Sequence, residues 1–190
     1  MKKLLSVLLA LSLVLTMAAC GGKKAEQTTA PVVEAPASAL EILETIWGNY
    51  AEEEKFAVIG GDMTNPVSDG PGAYDLADEN ISYTLLIPEA QLKNVTEAAS
   101  MIHMMNANTF TCGVYRLAEG ISPADFGAAM KDAVMNNQWM CGFPETLLIQ
   151  NIADTYVLVA FGVNDAMNPF LNHLAQSYPA AENLVKESIA

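Results

Sequence analysis

The hydrophobic residues in the C-terminal half of the chain alternate between strand-like and helix-like spacing. The run from Thr109 to Leu117 is rich in Thr, Phe, Val and Tyr, which predicts a strand. Ser122 and Pro123 then offer an N-cap and a proline for the first helical position. We therefore expect a strand followed by a helix that ends near Met140.

Two apolar runs follow, Thr146 to Ile152 and Thr155 to Gly162, and the short turn between them predicts a β-hairpin. Glu182 to Ile189 is interpreted as a last strand. The helix between hairpin and last strand is indicated by a stripe of apolar residues: Met167, Phe170, Leu171, Leu174 and Tyr178. The order over residues 109–189 predicts an α+β, ferredoxin-like split βαβ arrangement, an antiparallel sheet with both helices on one face.

Residues 38–106 are predicted to form an N-terminal extension of that core. Ser38 to Glu41 is a capping-box pattern that opens a first helix. Ile81 to Ile87 alternates apolar and polar positions and stops at a proline, which predicts a strand. Asn94 to Glu97 is a second capping-box variant, so a buried helix is expected to run on to Met105.

The segment from Gly60 to Gly72 is dominated by turn-forming residues. Asp62 and neighbouring side chains offer oxygen atoms, so the alternatives are a calcium loop and an ordinary surface loop. The EF-hand pattern requires Glu at its twelfth position, which counted from Asp62 is Ala73. The pattern fails, and a long surface loop is the favoured interpretation.

The N-terminus has the make-up of a secretory signal. Lys2 and Lys3 form a charged region, and Leu4 to Leu15 is an apolar stretch. That stretch is shorter than the roughly 20 apolar residues that cross a bilayer. An exported protein is therefore predicted.

The residues from Met17 to Cys20, Met-Ala-Ala-Cys, resemble the lipobox of bacterial lipoproteins, although Met17 stands where that family usually has Leu. The resemblance implies that Cys20 is diacylated and becomes the new N-terminus. Two acyl chains anchor a protein stably, so it also implies a protein held to the extracytoplasmic face of the cell membrane. The alternative is an ordinary cleaved signal followed by a free cysteine.

The chain therefore divides into three parts. Residues 1–20 are the signal, residues 21–37 form a low-complexity tether, and residues 38–190 form a single acidic domain. The tether holds almost no large apolar residue, so it cannot bury enough surface to fold. Its expected role is to hold the domain away from the membrane.

From Ser38 onward the chain has five basic and twenty acidic residues, a net charge of −15. Nucleic acids and anionic lipid surfaces both need basic patches, so neither is expected as a partner. Cationic ligands, metal ions and simple solubility remain open as reasons for the charge.

The pattern from about Met101 to Tyr178 is similar to a family of small bacterial lipoproteins of unknown function. The shared features are a strand after a segment containing Met and Asn, a helix ending in Gln138-Trp139, a hairpin and a last helix. The resemblance supports an α+β domain. It implies no functional residue, because none is assigned in that family.

One cluster contains ligand-type side chains that suit Cu(I): Met101, His103, Met104, Cys112 and Cys141. It suggests a metal-handling or thiol-redox lipoprotein as the alternative function. Methionine at regular spacing is more often core filler, and the second histidine, His173, is expected at a solvated edge of the last helix.

Cys112 and Cys141 are also expected to lie close together in a ferredoxin-like fold. One disulfide between them is possible in an oxidising compartment. It would close a loop of nearly 30 residues and stabilise the fold by roughly 3 kcal/mol. Two separate buried thiols are the alternative.

No nucleophile-elbow, zinc-protease, phosphate-loop or dinucleotide motif occurs in the chain. We therefore predict no enzyme and no cofactor, but a domain that binds either a small ligand or another envelope protein. A deep apolar pocket beside the first helix would favour a ligand. An exposed apolar patch larger than several hundred Å² would instead favour a protein partner.

Overall fold

The part of the chain that the computed structural model describes comprises residues 35–105, 109–140 and 142–189. Cys20 and Cys141, which carry two of the predictions, lie outside it. The helices are α1 (Ala39–Gly48), α2 (Ile81–Thr84), α3 (Glu89–Leu92), α4 (Pro123–Met135) and α5 (Asn164–Ser177). The strands are β1 (Val58–Gly60), β2 (Val67–Ser68), β3 (Gly72–Tyr74), β4 (Val95–His103), β5 (Phe110–Leu117), β6 (Thr146–Ile152), β7 (Tyr156–Gly162) and β8 (Glu182–Ser188).

All of these strands belong to one antiparallel sheet with the order β2-β1-β4-β5-β7-β6-β8. β1 and β3 share the outer side of β4. β1 pairs with residues 101–103 and β3 with residues 98–100. The extension predicted for residues 38–106 therefore adds strands directly to the sheet of the core.

The sheet is covered by helices on both faces. Phe110, Cys112 and Val114 of β5 point to a core shared with α1 and α5, here called the α1 face. Tyr115 and Leu117 point the other way, to a core shared with α2 and α4, here called the α4 face. The α+β antiparallel sheet is confirmed, but the expectation that both helices share one face was wrong.

Strand order explains this difference. In the predicted arrangement the last strand would pair with β5, but β4 occupies that position, and β8 pairs with β6 instead. The crossovers β5-α4-β6 and β7-α5-β8 therefore move across the sheet in the same direction, starting from antiparallel strands. Because such crossovers are almost always right-handed, their helices must lie on opposite faces. The ferredoxin-like arrangement is thus not confirmed.

Several predicted elements are confirmed. The hydroxyl of Ser38 accepts a hydrogen bond from the N–H of Glu41 (3.0 Å) and caps α1. Ser122 caps α4 in the same way, although α4 ends at Met135 rather than near Met140. The strand before α4, the hairpin β6-β7, helix α5 and the last strand β8 also occur as predicted.

Two predicted elements were wrong. Residues 95–103 form a strand rather than a helix, paired on both sides and buried on both faces over most of its length. A segment that is apolar all round fits a central strand as well as a buried helix. Residues 81–84 form a short helix rather than a strand, because Ile81 and Leu85 are buried one helical turn apart while Tyr83 is exposed.

Within the described ranges, no helix reaches the length and hydropathy that a bilayer crossing requires.

Candidate functional site

The structure places two of the predicted soft-metal ligands side by side. Met101 on β4 pairs with Cys112 on β5, and both side chains are fully buried on the α1 face. His103 lies at the end of β4, where its ring stacks on Phe56 with centroids 5.3 Å apart. Met104 is 52% exposed to solvent. The predicted set is therefore divided between the core and the surface.

Burial raises the pKa of the Cys112 thiol well above its usual range, because the thiolate would lose its hydration. The thiolate is the metal-binding and nucleophilic form, so burial disfavours metal binding and nucleophilic attack by an unbridged thiol at Cys112. Among the described residues, no group of three or more His, Cys, Asp or Glu side chains could hold a metal ion. The copper set and the Cys112–Cys141 bridge stay predictions, because Cys141 lies outside the described part.

The space between α1 and the sheet is filled by aromatic rings. Trp47 and Tyr50 of α1 and its C-terminal turn have ring centroids 4.8 Å apart, and Phe56 contacts Phe110 edge-on at 5.4 Å. These rings join the core of the α1 face. Aromatic side chains therefore fill the position at which a deep apolar pocket would have favoured a small ligand.

His173 is buried, with 8% of its surface exposed, so the expectation of a solvated edge was wrong. Its ring packs on that of Tyr50 with centroids 4.1 Å apart, and its Nε2 lies 3.5 Å from a carboxylate oxygen of Glu54. Burial raises the pKa of the Tyr50 hydroxyl. This contact joins α5 to the end of α1, and the position of His173 one turn after Phe170 in the apolar stripe is the sequence signal that could have indicated it.

Asp62 organises the loop for which a calcium site was one of the two alternatives. Its carboxylate accepts hydrogen bonds from the backbone N–H groups of Thr64 and Asn65 (2.7 Å each) and of Asp75 (3.2 Å). These bonds, that of Asn65 foremost, lower the pKa of Asp62. The carboxylate thus satisfies backbone donors within the turn, which supports the surface-loop interpretation.

One end of the sheet exposes large apolar side chains to solvent. Met105 is 83% exposed, Met140 85% and Phe143 67%, in addition to Met104. We call these four residues the methionine end. Single exposed apolar residues are ordinary, whereas a contiguous exposed patch of several hundred Å² is typical of an interaction site.

Strand register places Met104, Met105 and Phe143 at the same end of the sheet. Met140 follows Trp139, whose ring contacts Phe161 near the end of β7 (centroids 5.6 Å apart), so it lies at that end too. Met104 follows the last residue of β4, and its N–H donates to the carbonyl of Ala57 (2.9 Å). Phe143 lies just before β6. Gly162, at the end of β7, pairs with Thr146 at the start of β6 and with Phe110 at the start of β5, so these strand ends lie at the same end of the sheet. β4 and β6 are separated by three inter-strand spacings, about 14 Å.

Acidic side chains border the methionine end. Glu145 donates its backbone N–H to Gly162 (2.9 Å), and its carboxylate accepts the N–H of Asn164 (2.7 Å), the first residue of α5. Asp165 is exposed in the first turn of α5. Glu52 to Glu54 is an exposed run just before Phe56, the ring that stacks on His103.

Comparison with protein-family models, with curated proteins and with solved structures returned no match for this chain.

Proposed function

We propose that this protein is anchored by lipid at Cys20 to the extracytoplasmic face of the cell membrane, and that its acidic α+β domain binds another envelope protein. The observation that carries the binding proposal is the methionine end, where large apolar side chains stand in solvent at one end of the sheet. The anchor rests on the lipobox-like residues before Cys20. No catalytic step is part of the proposal.

A protein partner fits the geometry better than a small ligand. The interface between α1 and the sheet is occupied by Trp47, Tyr50, Phe56 and Phe110, whose rings leave little room for a bound molecule. The side chains of the methionine end are instead exposed to solvent. Methionine is flexible and polarizable, so its side chains adapt to the shape of a docking partner.

The test is site-specific photocrosslinking in native envelope membranes. A photoreactive amino acid is placed at Met105 or Met140, and separately at Met63. Met63 is a matched control, since it is also strongly exposed, at 73%, but lies in the loop beyond the other end of β1.

Crosslinks to one protein of defined mass are expected from Met105 and Met140 and not from Met63. Equal crosslinking from all three positions, or none from the first two, would show that the methionine end binds no envelope protein.

A second candidate, Cu(I) binding, is favoured by one observation. Three exposed thioethers, those of Met104, Met105 and Met140, share one end of the sheet with the imidazole of His103. Thioether and imidazole groups are suitable Cu(I) ligands. A competition titration of the full chain with a coloured Cu(I) chelator tests it, and binding that is unchanged in Met105→Ser would contradict it.

A further inference from the structure

The charges around the methionine end restrict the kind of partner that it can accept. Glu145 and Asp165 lie on the side of β6 and α5, and Glu52 to Glu54 precede β1 on the other side. The cation nearest to this run, Lys55, is already paired with Glu52 at 2.6 Å. On the β6 side, strand β8 brings Glu187 with its partner Lys131, and Lys186, to the same end of the sheet. The carboxylates around the apolar side chains (Glu52 to Glu54, Glu145, Asp165 and Glu187) outnumber the cations Lys55, Lys131 and Lys186, so the described rim carries a net negative charge.

From this arrangement we infer that the methionine end binds a basic amphipathic segment, an apolar face flanked by Lys or Arg, presented by the partner protein. The inference rests on the proposed function and names the chemistry of its partner.

Apolar contact at the centre with opposite charges at the rim is the usual composition of a protein interface. Exposed methionine side chains are common on surfaces that receive amphipathic helices.

The same charges disfavour a membrane surface as the occupant. The folded part of the chain carries −15, and anionic headgroups would be repelled by the carboxylates beside the apolar side chains. Three of its five cations are also paired with carboxylates: Lys55 with Glu52, Arg116 with Glu97 and Lys131 with Glu187. They therefore add little positive charge with which to hold a lipid headgroup.

The test uses the lipidated full chain in phosphatidylcholine nanodiscs and two synthetic probes. One probe is a short amphipathic peptide of leucine and lysine carrying a photoreactive group, and the other has the same pattern with glutamate in place of lysine. The yield and position of peptide–protein adducts are measured by mass spectrometry. We expect the lysine peptide to give at least about tenfold more adduct than the glutamate peptide.

Variants separate apolar contact from unspecific charge attraction. The double variant Met105→Ser/Met140→Ser should reduce the adduct at least about fivefold, because it removes apolar contacts without changing charge. Met63→Ser should leave it unchanged. Glu53→Gln/Asp165→Asn should reduce the adduct and weaken its dependence on salt.

Equal yields from the two peptides, or undiminished yield in the double serine variant, would overturn the inference. A second contrary outcome concerns the membrane. If a photoreactive group at position 105 gave lipid adducts in phosphatidylglycerol nanodiscs, and no peptide adduct formed, the membrane would be the occupant and the inference would be overturned. If crosslinks in native membranes still arise from positions 105 and 140, the proposed function survives and the basic segment alone is excluded. Absence of those native crosslinks would instead contradict the proposed function itself.

Discussion

Met101 on β4 lies directly across from Cys112 on β5, and both side chains are fully buried between the sheet and α1. Truncating a buried methionine leaves a cavity, so Met101→Ala should lower the free energy of unfolding by about 2–5 kcal/mol. Met104, three residues later, is half exposed. Met104→Ala should therefore change the free energy of unfolding by less than about 0.5 kcal/mol. Urea unfolding of the two variants measures the difference. Similar values would show that Met101 is not a core residue.

Tyr50 and Tyr115 are both buried, but their hydroxyl groups differ. That of Tyr115 donates to the carbonyl of Leu85 (3.3 Å), while that of Tyr50 has no hydrogen-bond partner among the described residues. Tyr115→Phe should therefore cost about 1 kcal/mol, and Tyr50→Phe should be neutral or stabilising by up to about 1 kcal/mol. Chemical denaturation tests both. A loss in Tyr50→Phe as large as that in Tyr115→Phe would reveal a partner for the Tyr50 hydroxyl, for instance a buried water.

Asp62 should make stability depend on pH in the acidic range. Its pKa is lower in the folded protein than its ordinary value of 3.8, so the unfolded chain binds the proton more readily. The stabilisation is present above about pH 4 and is lost as the pH falls below it. Asp62→Asn should be less stable at neutral pH and should lose less stability on acidification.

The control for this prediction is Asp69→Asn, the same substitution at an exposed aspartate in the same region. It should retain the pH dependence of the wild type. Thermal unfolding between pH 3 and 7 measures how the stability of each variant depends on pH. If Asp62→Asn lost as much stability on acidification as the wild type, Asp62 would not be the source of the pH dependence.

Two glycines should respond to alanine with opposite sign. A Cβ atom at Gly60 would lie 2.1 Å from the backbone nitrogen of Gly72, where β1 and β3 approach each other closely beside β4. Gly60→Ala should destabilise the fold by about 1–3 kcal/mol. At Gly48, the last residue of α1, the Cβ meets open space, and Gly48→Ala should stabilise by about 0.5–1 kcal/mol. The denaturation midpoints of the two variants and the wild type test this prediction. A Gly60→Ala midpoint equal to that of the wild type would mean that the backbones of β1 and β3 move apart at little cost.

Cys20→Ser should release the protein from the membrane, because serine cannot form the thioether to the diacyl group. Fractionation of cells that express the variant, with mass spectrometry of the native N-terminal peptide, measures both location and modification. Cys112→Ala is the control, since it removes a buried thiol and should leave the protein in the membrane fraction. An unmodified Cys20 in the wild type would refute the anchor.

Local sequence signals determined the helices that have caps and the strands that have tight turns. Ser38 and Ser122 begin α1 and α4 because their hydroxyls accept N–H groups of the first helical turn. The turn at Ala153 and Asp154 closes the β6-β7 hairpin, and both residues adopt positive φ there. These interactions act within a few residues, so the sequence is sufficient to indicate them.

The segment 95–103 shows where local signals fail. Ala98, Ala99 and Met101 favour a helix, but the positions on both sides of β4 are filled by β1, β3 and β5. Hydrogen bonding to three strands and burial on both faces outweigh a weak helical preference. That competition depends on residues far away in the chain and cannot be derived from the segment itself.

The exposed methionines illustrate the same limit for the candidate site. Met101 and Met104 are three residues apart in one apolar segment, yet one is in the core and the other in solvent. The sequence by itself determined the negative charge, the capped helices and the hairpin, because each depends on composition or on neighbouring residues. Only the tertiary structure decided the strand order, the opposite placement of α4 and α5, and the grouping of Met104, Met105, Met140 and Phe143 at one end of the sheet. These follow from which strands pair, and that is settled by contacts between distant parts of the chain.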